Sequence, residues 1–96
     1  MEYQQLMTEK AQLLKALAHP IRLCLVKKLC EQGRLNVTYF TNCMDASQSS
    51  ISQHLGKLRD LGILACEKEG QSVIYHIKNE TVRAVVKSLF EEEENE

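Results

Sequence analysis

The chain has 96 residues, of which 26% are charged, and a formal net charge of −1 at pH 7. This is the size of one small globular domain. Five of the thirteen acids lie in the tail 91–96, so residues 1–90 carry twelve Lys and Arg against eight Asp and Glu, a net +4. Such a body permits binding to nucleic-acid phosphates. A bilayer-spanning run and a signal-peptide pattern are both absent, so we expect a cytoplasmic protein without membrane contact.

The N-terminal third predicts two helices. Leucines recur at helical spacing through residues 4–18, on a segment whose apolar side we expect to face another subunit. His19-Pro20 ends this helix, because proline disfavours a helical residue before it and suits the first turn of a new helix. The second helix is predicted over about 20–31, and Gly33 is a suitable left-handed stop.

Residues 34–60 predict a helix-turn-helix. After an extended link, Asn36 is a plausible cap for a brief helix over about 37–44, and Ser47 caps a second helix that runs to about residue 60. The second helix carries an apolar stripe of Ile51, Leu55 and Leu58. Its opposite face is small or hydrogen-bonding: Ser49, Ser52, Gln53, Gly56 and Lys57. Taken alone, this face suits a solvated surface helix and a DNA-groove helix equally; its place after a capped turn favours DNA.

The C-terminal third predicts a hairpin and a last helix. Residues 63–68 and 72–77 are β-rich around a turn at Gly70, with a charged and polar tip typical of a DNA-binding wing. The helix over about 80–92 has more apolar surface than a small monomer easily buries, which, with the first helix, indicates a dimer interface.

These elements define the predicted fold. It is mainly α with a small β-hairpin: a winged helix-turn-helix in the order α-α-α-α-β-β-α, forming a homodimer through the first and last helices. We assign residues 1–90 to one DNA-binding and dimerisation domain and expect the acidic tail 91–96 to be disordered.

Two motifs connect this fold to a family. Ala18-His19-Pro20-x-Arg22-Leu23, followed by Ser47-Gln48-Ser49-x-x-Ser52-x-His54-Leu55-x-x-Leu58-x-x-x-Gly62-Ile63-Leu64, resembles the ArsR/SmtB family of bacterial winged-helix repressors. The hairpin pattern Glu67-x-x-Gly70-x-x-x-x-Tyr75-x-Ile77 matches as well, and the resemblance covers residues 6–90. It implies a homodimer, a DNA-reading helix at 47–60, and loss of DNA binding when an effector or modification arrives.

The resemblance also implies which side chains meet DNA. Short amides and hydroxyls that suit adenine edges and phosphates are expected in the groove, at Gln48, Ser49, Ser52 and Gln53. Phosphate contacts that set affinity and register are expected from Lys57, Lys68 and Gln71. His54 flanks the apolar stripe, and we expect it to pack and bond locally in preference to contacting DNA.

The metal sites familiar in this family are not matched. The thiol motif Leu-Cys-Val-Cys is replaced by Leu35-Asn36-Val37-Thr38, which removes both soft ligands. At the terminal-helix site the matching positions lie near Asn79, Thr81, Glu92 and Asn95, of which only Glu92 is a credible ligand. We therefore expect no metal and no cofactor.

The four cysteines are Cys24, Cys30, Cys43 and Cys66, and they form neither a Cys-x-x-Cys motif nor a disulfide scaffold. Cys24 and Cys30 are ~9 Å apart along one helix, too far for a mutual disulfide. Cys30 and Cys43, near the ends of successive helices, could lie closer, and Cys66 is expected to be the most exposed. Some family members pair thiols from the second and last helices, but this last helix has no cysteine.

We predict a dimeric bacterial DNA-binding transcriptional regulator, in the repressor class, that binds an imperfect inverted repeat in promoter DNA at the nucleoid. One alternative is a repressor that senses oxidants or reactive sulfur through its cysteines, although packing is the first expectation for each thiol singly. Another is a protein-interaction module. An enzyme is not expected, because the three histidines have no sequence-local catalytic partner. The pattern implies no particular effector.

Overall fold

A computed structural model of the protein describes residues 2–40 and 43–91. Four α-helices and a three-stranded sheet form the winged helix-turn-helix that the sequence predicts. Within the described residues, no helix is long and apolar enough to cross a membrane. The predicted acidic tail lies outside the described residues apart from Glu91. In chain order the elements are α1 Tyr3–Leu17, α2 Pro20–Gln32, β1 Arg34–Asn36, a 3-10 helix Val37–Phe40, α3 Gln48–Asp60, β2 Leu64–Glu69, β3 Ser72–Ile77 and α4 Glu80–Leu89.

The segment expected to be an extended link is a strand. β1 pairs antiparallel with β3, with Leu35 opposite Tyr75, and the strand order is β1-β3-β2. β3 is therefore central, and its backbone groups are paired on both sides, which a hairpin alone would not achieve. A three-residue strand is too short for an alternating pattern, so only its distant partner reveals it.

The first helix of the helix-turn-helix is shorter than expected. The prediction of a helix over 37–44 is replaced by a 3-10 turn over Val37–Phe40, and residues 41–42 lie outside the described residues. The run Val37 to Phe40 is β-branched and aromatic, which disfavours a continuous α-helix. Asn36 does act at its start: its side-chain oxygen accepts the backbone N–H of Thr38 at 3.1 Å.

The core lies between α2, α3, α4 and the sheet. Side chains with no exposed surface come from α2, the 3-10 helix, α3, α4 and the turns that flank α3, and they pack on the inner side of α3. α1 adds only Ala16 and Leu17 to this core, so it lies at the periphery. The fully buried side chains include Leu25, Val26, Leu29, Phe40, Cys43, Ile51, Leu55, Leu58, Ile63 and Val86.

Candidate DNA-binding site

The helix α3 is fixed by a cap at its start and an apolar stripe along its inner side. The Ser47 hydroxyl accepts the Ser50 backbone N–H at 3.1 Å, satisfying one donor of the first turn. Ile51, Leu55 and Leu58 have no exposed surface. The four-then-three spacing of this stripe leaves the opposite side of the helix in solvent.

The outer side of α3 is polar and free of carboxylates. We call Gln48, Ser49, Ser52, Gln53 and Lys57 the polar face of α3, and all five are exposed. The single acid of the helix is Asp60, at its last residue, where it pairs with Arg59 at 3.2 Å. With no acid in the first turn, the positive end of the helix dipole stays available to an anion such as a DNA phosphate.

A tight turn leads into α3. Met44 and Asp45 both adopt left-handed backbone conformations, with φ of 57° and 55°, although neither is glycine. The Ala46 N–H donates to the Cys43 carbonyl at 3.0 Å and closes the turn. Because Cys43 is fully buried, the turn is anchored in the core four residues before the Ser47 cap.

A histidine–arginine cluster joins the start of α2 to α3. The Arg22 Nε–H donates to His54 Nδ1 at 3.0 Å, and the rings of His19 and His54 lie 4.5 Å apart. His19 also caps α2 by accepting the Ile21 N–H at 3.2 Å. Burial lowers the pKa of His54, and the charges of His19 and Arg22 lower it further. Half-buried His54 thus bonds locally, as expected, and holds α3 against the start of α2.

A cationic groove lies beside the polar face. It has a volume of about 380 Å³ and lies between α1, the start of α2 and the end of α3. Lys15, Arg22 and Lys57 contribute to its wall, and among the described residues no carboxylate lines it. The sequence pattern gives no sign of a functional role for Lys15 or Arg22, because residues so distant in sequence converge only in the folded chain.

The β2–β3 hairpin forms the wing. Gly70 has a φ of 62°, the positive value that the first loop position of a type II′ hairpin turn requires. Lys68 and Gln71 are exposed at this tip, as expected of phosphate contacts. Arg34 of β1 binds Glu69 at 2.6 Å and lies 3.6 Å from Glu67, which offsets the acidic charge of the wing. This role of Arg34 is not evident from the sequence, because it depends on the pairing of β1 with β3.

The cysteines occupy positions that differ from expectation. Cys43 contacts Cys24, with 2.7 Å between the sulfurs, whereas the sequence suggested Cys30 as its neighbour. The Cys30 sulfur lies instead 3.9 Å from the Arg83 carbonyl oxygen of α4. Cys66 is not distinctly exposed: Cys24, Cys30 and Cys66 are all half-buried, and the Cys66 sulfur lies 4.0 Å from the Arg59 guanidinium. The pitch of α2 and its crossing of the core decide which of its two thiols meets the turn.

The positions that hold metal in related sensors have structural roles here. Asn36 bonds Thr38 at the start of the 3-10 helix, and the Asn79 side chain accepts the Val82 N–H at 3.1 Å and caps α4. Both amides therefore act as caps. Glu92 and Asn95 of that comparison lie outside the described residues.

Comparison with known proteins identifies the family. Residues 19–65 match the family model described as "Bacterial regulatory protein, arsR family". The chain is 39% identical over 88 residues to the transcriptional repressor PagR of Bacillus anthracis, covering 92% of this chain and 87% of PagR. It is 36% identical over 81 residues to the transcriptional regulator YgaV of Escherichia coli strain K12, covering 84% of this chain and 82% of YgaV.

Solved structures agree with this match. The crystal structure of PagR superposes with a TM-score of 0.79, covering 92% of this chain and 99% of that one. HlyU from Vibrio cholerae N16961 superposes with a TM-score of 0.81 at 33% identity, covering 95% and 96% of the two chains. Similarity in sequence and fold therefore extends over almost the whole chain. The protein belongs to the ArsR family of bacterial DNA-binding transcriptional regulators.

Proposed function

We propose that the protein is a homodimeric repressor that binds an imperfect inverted repeat in promoter DNA and reads it with the polar face of α3. The observation that carries this proposal is the division of α3 into a fully buried stripe and an exposed face of amides, hydroxyls and one lysine. Amides pair well with adenine edges in the major groove, and small hydroxyls allow close approach of the helix. Repression is inferred because PagR, to which the chain is 39% identical, is a transcriptional repressor.

Base reading is assigned to Gln48, Ser49, Ser52 and Gln53. These four residues occupy the first two turns of α3, the end of a recognition helix that contacts base edges in helix-turn-helix proteins. The slim hydroxyl side chains between the two glutamines leave room for the glutamine amides to reach the bases. Specificity is therefore expected to depend on the glutamines more than on the serines.

Backbone binding is assigned to Lys57, Lys68 and Gln71, with support from the cationic groove. Lys57 belongs to both the polar face and the groove wall, so it lies where the two surfaces meet. Each phosphate contact releases a counterion, and binding should weaken as salt rises. These contacts set affinity and register, whereas the amides set sequence preference.

Dimerisation is assigned to α1 and α4. A groove of about 200 Å³ lies between them. Most of its lining is apolar: Leu13, Leu14, Leu17, Val82 and Val85, with Lys10 and Thr81 completing the wall. Leu14 is 59% exposed at this groove, and Leu89 of α4 is 61% exposed. A two-fold pairing through this surface would cover these leucines and present two copies of α3, one to each half of an inverted repeat.

Footprinting of genomic fragments with the reduced protein tests this proposal. We expect protection of an inverted repeat whose half-sites are centred about 10 bp apart or a multiple of that, the spacing for two recognition helices on one side of the duplex. Binding should fall steeply between low and moderate salt. Protection of random fragments with the same affinity as promoter fragments would contradict sequence reading by α3, and a monomer in solution would contradict the dimer.

A further inference from the structure

Two thiols from separate elements touch where α2 packs against the turn before α3. The sulfurs of Cys24 on α2 and Cys43 in the turn before α3 are 2.7 Å apart, although 19 residues separate them in the chain. This separation is shorter than the ~3.5 Å at which non-bonded heavy atoms usually rest. The two side chains therefore already point at each other, and a bond between them requires only a local shift of the two sulfurs toward one another.

The two thiols differ in environment. Cys43 has no exposed surface; burial, and then the hydrogen bond with Cys24, raise the pKa of Cys43 to about 12. Cys24 is half-buried and lines a surface groove of about 290 Å³. A small reagent in the groove can therefore reach Cys24, whereas Cys43 is buried beneath it and is not accessible to the reagent. The other groove residues are Pro20, Leu23, Lys27, Met44 and Phe90.

We propose that Cys24 and Cys43 form a reversible disulfide when a hydroperoxide enters this groove, and that the disulfide weakens DNA binding. The inference deepens the proposed function and rests on it for the effect on DNA. It assigns the oxidant-sensing role to one specific pair of thiols, one from α2 and one from the turn before α3.

The chemistry proceeds in two balanced steps. Cys24 loses its proton, the thiolate attacks the distal peroxide oxygen, and the O–O bond breaks. The sulfur becomes a sulfenic acid, while the other peroxide oxygen takes up the proton and leaves as an alcohol or water. Cys43 then attacks the Cys24 sulfur, the S–O bond breaks, and the hydroxyl leaves as water with the Cys43 proton. Two thiols and one peroxide have become one disulfide, with two electrons passed to the peroxide.

The turn connects this bond to the polar face of α3. Cys43 lies four residues before the Ser47 cap. The hydrogen bond from the Ala46 N–H to the Cys43 carbonyl closes the intervening turn, so we expect its residues to move together. A disulfide draws the sulfurs to about 2.05 Å, which pulls Cys43 toward α2. Because the core around Cys43 is close-packed, the displacement passes to the first turn of α3, where Gln48 and Ser49 lie.

Peroxide titration of the full-length protein tests the pair. Reduced protein is treated with hydrogen peroxide, digested without reductant and mapped by mass spectrometry, while free thiols are counted. We expect a peptide linked through Cys24 and Cys43 and the loss of two thiols, both reversed by dithiothreitol. A linkage through other cysteines, or Cys24 oxidised to sulfinic acid without a linkage, would overturn the proposal.

DNA affinity is measured on the same samples by fluorescence anisotropy. We expect oxidation to weaken operator binding by about tenfold or more, equivalent to ~1.4 kcal/mol. Cys24→Ser should remove this response, and Cys30→Ser and Cys66→Ser should retain it as matched controls. Unchanged affinity after complete formation of the linkage would overturn the switch. If reduced protein shows no operator preference, the proposed function fails, whereas the linked peptide still reports on the thiol pair.

Discussion

The helices α3 and α4 follow the same local rules and differ in the side they leave exposed. Each begins with a side-chain cap that accepts an N–H three residues later, at 3.1 Å in both cases: Ser47 in α3 and Asn79 in α4. Each buries one apolar stripe. α3 then presents amides and hydroxyls to solvent, whereas α4 presents Leu89 and, beside α1, Val85.

This difference separates two kinds of partner. A polar outer side with unpaired hydrogen-bonding groups suits base edges and phosphates, because its hydrogen bonds to water can be replaced by hydrogen bonds to DNA. Exposed apolar side chains such as Leu89 suit another apolar surface, which in the proposed dimer a second copy provides. Capping and the buried stripe make both helices; the exposed side decides what each one binds.

The largest expected effect comes from charging the α1–α4 surface. In Leu14→Glu, two copies of a carboxylate would enter an apolar interface, and we expect a monomer by sedimentation equilibrium. Losing the second half-site contact should weaken operator binding by roughly 100-fold. Gln5→Glu, on the opposite side of α1, is the control and should remain dimeric. A dimeric Leu14→Glu protein with normal affinity would place the interface elsewhere.

A smaller effect is expected from the polar face itself. Gln53→Ala removes one amide and should cost about 1–3 kcal/mol on the operator, with little change on scrambled DNA. Lys57→Ala is the contrasting variant: it should weaken both DNAs similarly and reduce the salt slope by about 1. Anisotropy titrations on both DNAs over a salt series make the measurement. An equal loss on both DNAs for Gln53→Ala would make Gln53 a backbone contact.

The two caps compare the helices directly. Ser47→Ala and Asn79→Ala should each lower the free energy of unfolding by ~1 kcal/mol, because each leaves a first-turn N–H without its partner. Urea denaturation measures this cost. Only Ser47→Ala should also weaken operator binding in the dimeric, folded protein, since its helix carries the polar face. A larger DNA effect from Asn79→Ala would reverse the assignment of the two helices.

The smallest effect concerns pH. His54 has a pKa lowered below its ordinary 6.5, first by burial and then by His19 and Arg22, so the unfolded chain takes up this proton at a higher pH than the folded chain. Stability should therefore fall as pH drops below about 6.5 and level off once the folded protein is also protonated. Urea unfolding at several pH values measures the slope. His54→Gln should reduce the dependence of the unfolding free energy on pH. An unchanged dependence would show that other groups cause it.

The recognition helix was predictable almost to the residue. Ser47 was identified as its cap and residue 60 as its approximate end, and α3 runs from Gln48 to Asp60 with Ser47 capping it. The buried stripe of Ile51, Leu55 and Leu58 was equally predictable, since the three residues follow the helical spacing within one short segment. These features depend on groups within a few turns of one another, so the sequence contains them directly.

Other features of the site depend on contacts between distant segments. β1 forms by pairing with β3, where Leu35 lies opposite Tyr75. The cationic groove forms where Lys15 and Arg22 approach Lys57. The cysteines show the same limit, because the partner of Cys43 on α2 proved to be Cys24 in place of Cys30. Cys24 and Cys30 are six residues apart on α2, and which of them contacts Cys43 depends on how α2 crosses its neighbours.

By itself, the sequence determined the order of the four α-helices and the β2–β3 hairpin, the capped helix α3 with its polar side, and membership of the family suggested by the residue pattern. These follow from hydrophobic period, capping and turn chemistry, which act over short stretches of chain. Only the tertiary structure decided the central place of β3, the Arg22–His54 contact and the meeting of Cys24 with Cys43. Such contacts depend on helix crossing and close packing, through which residues far apart in sequence become neighbours.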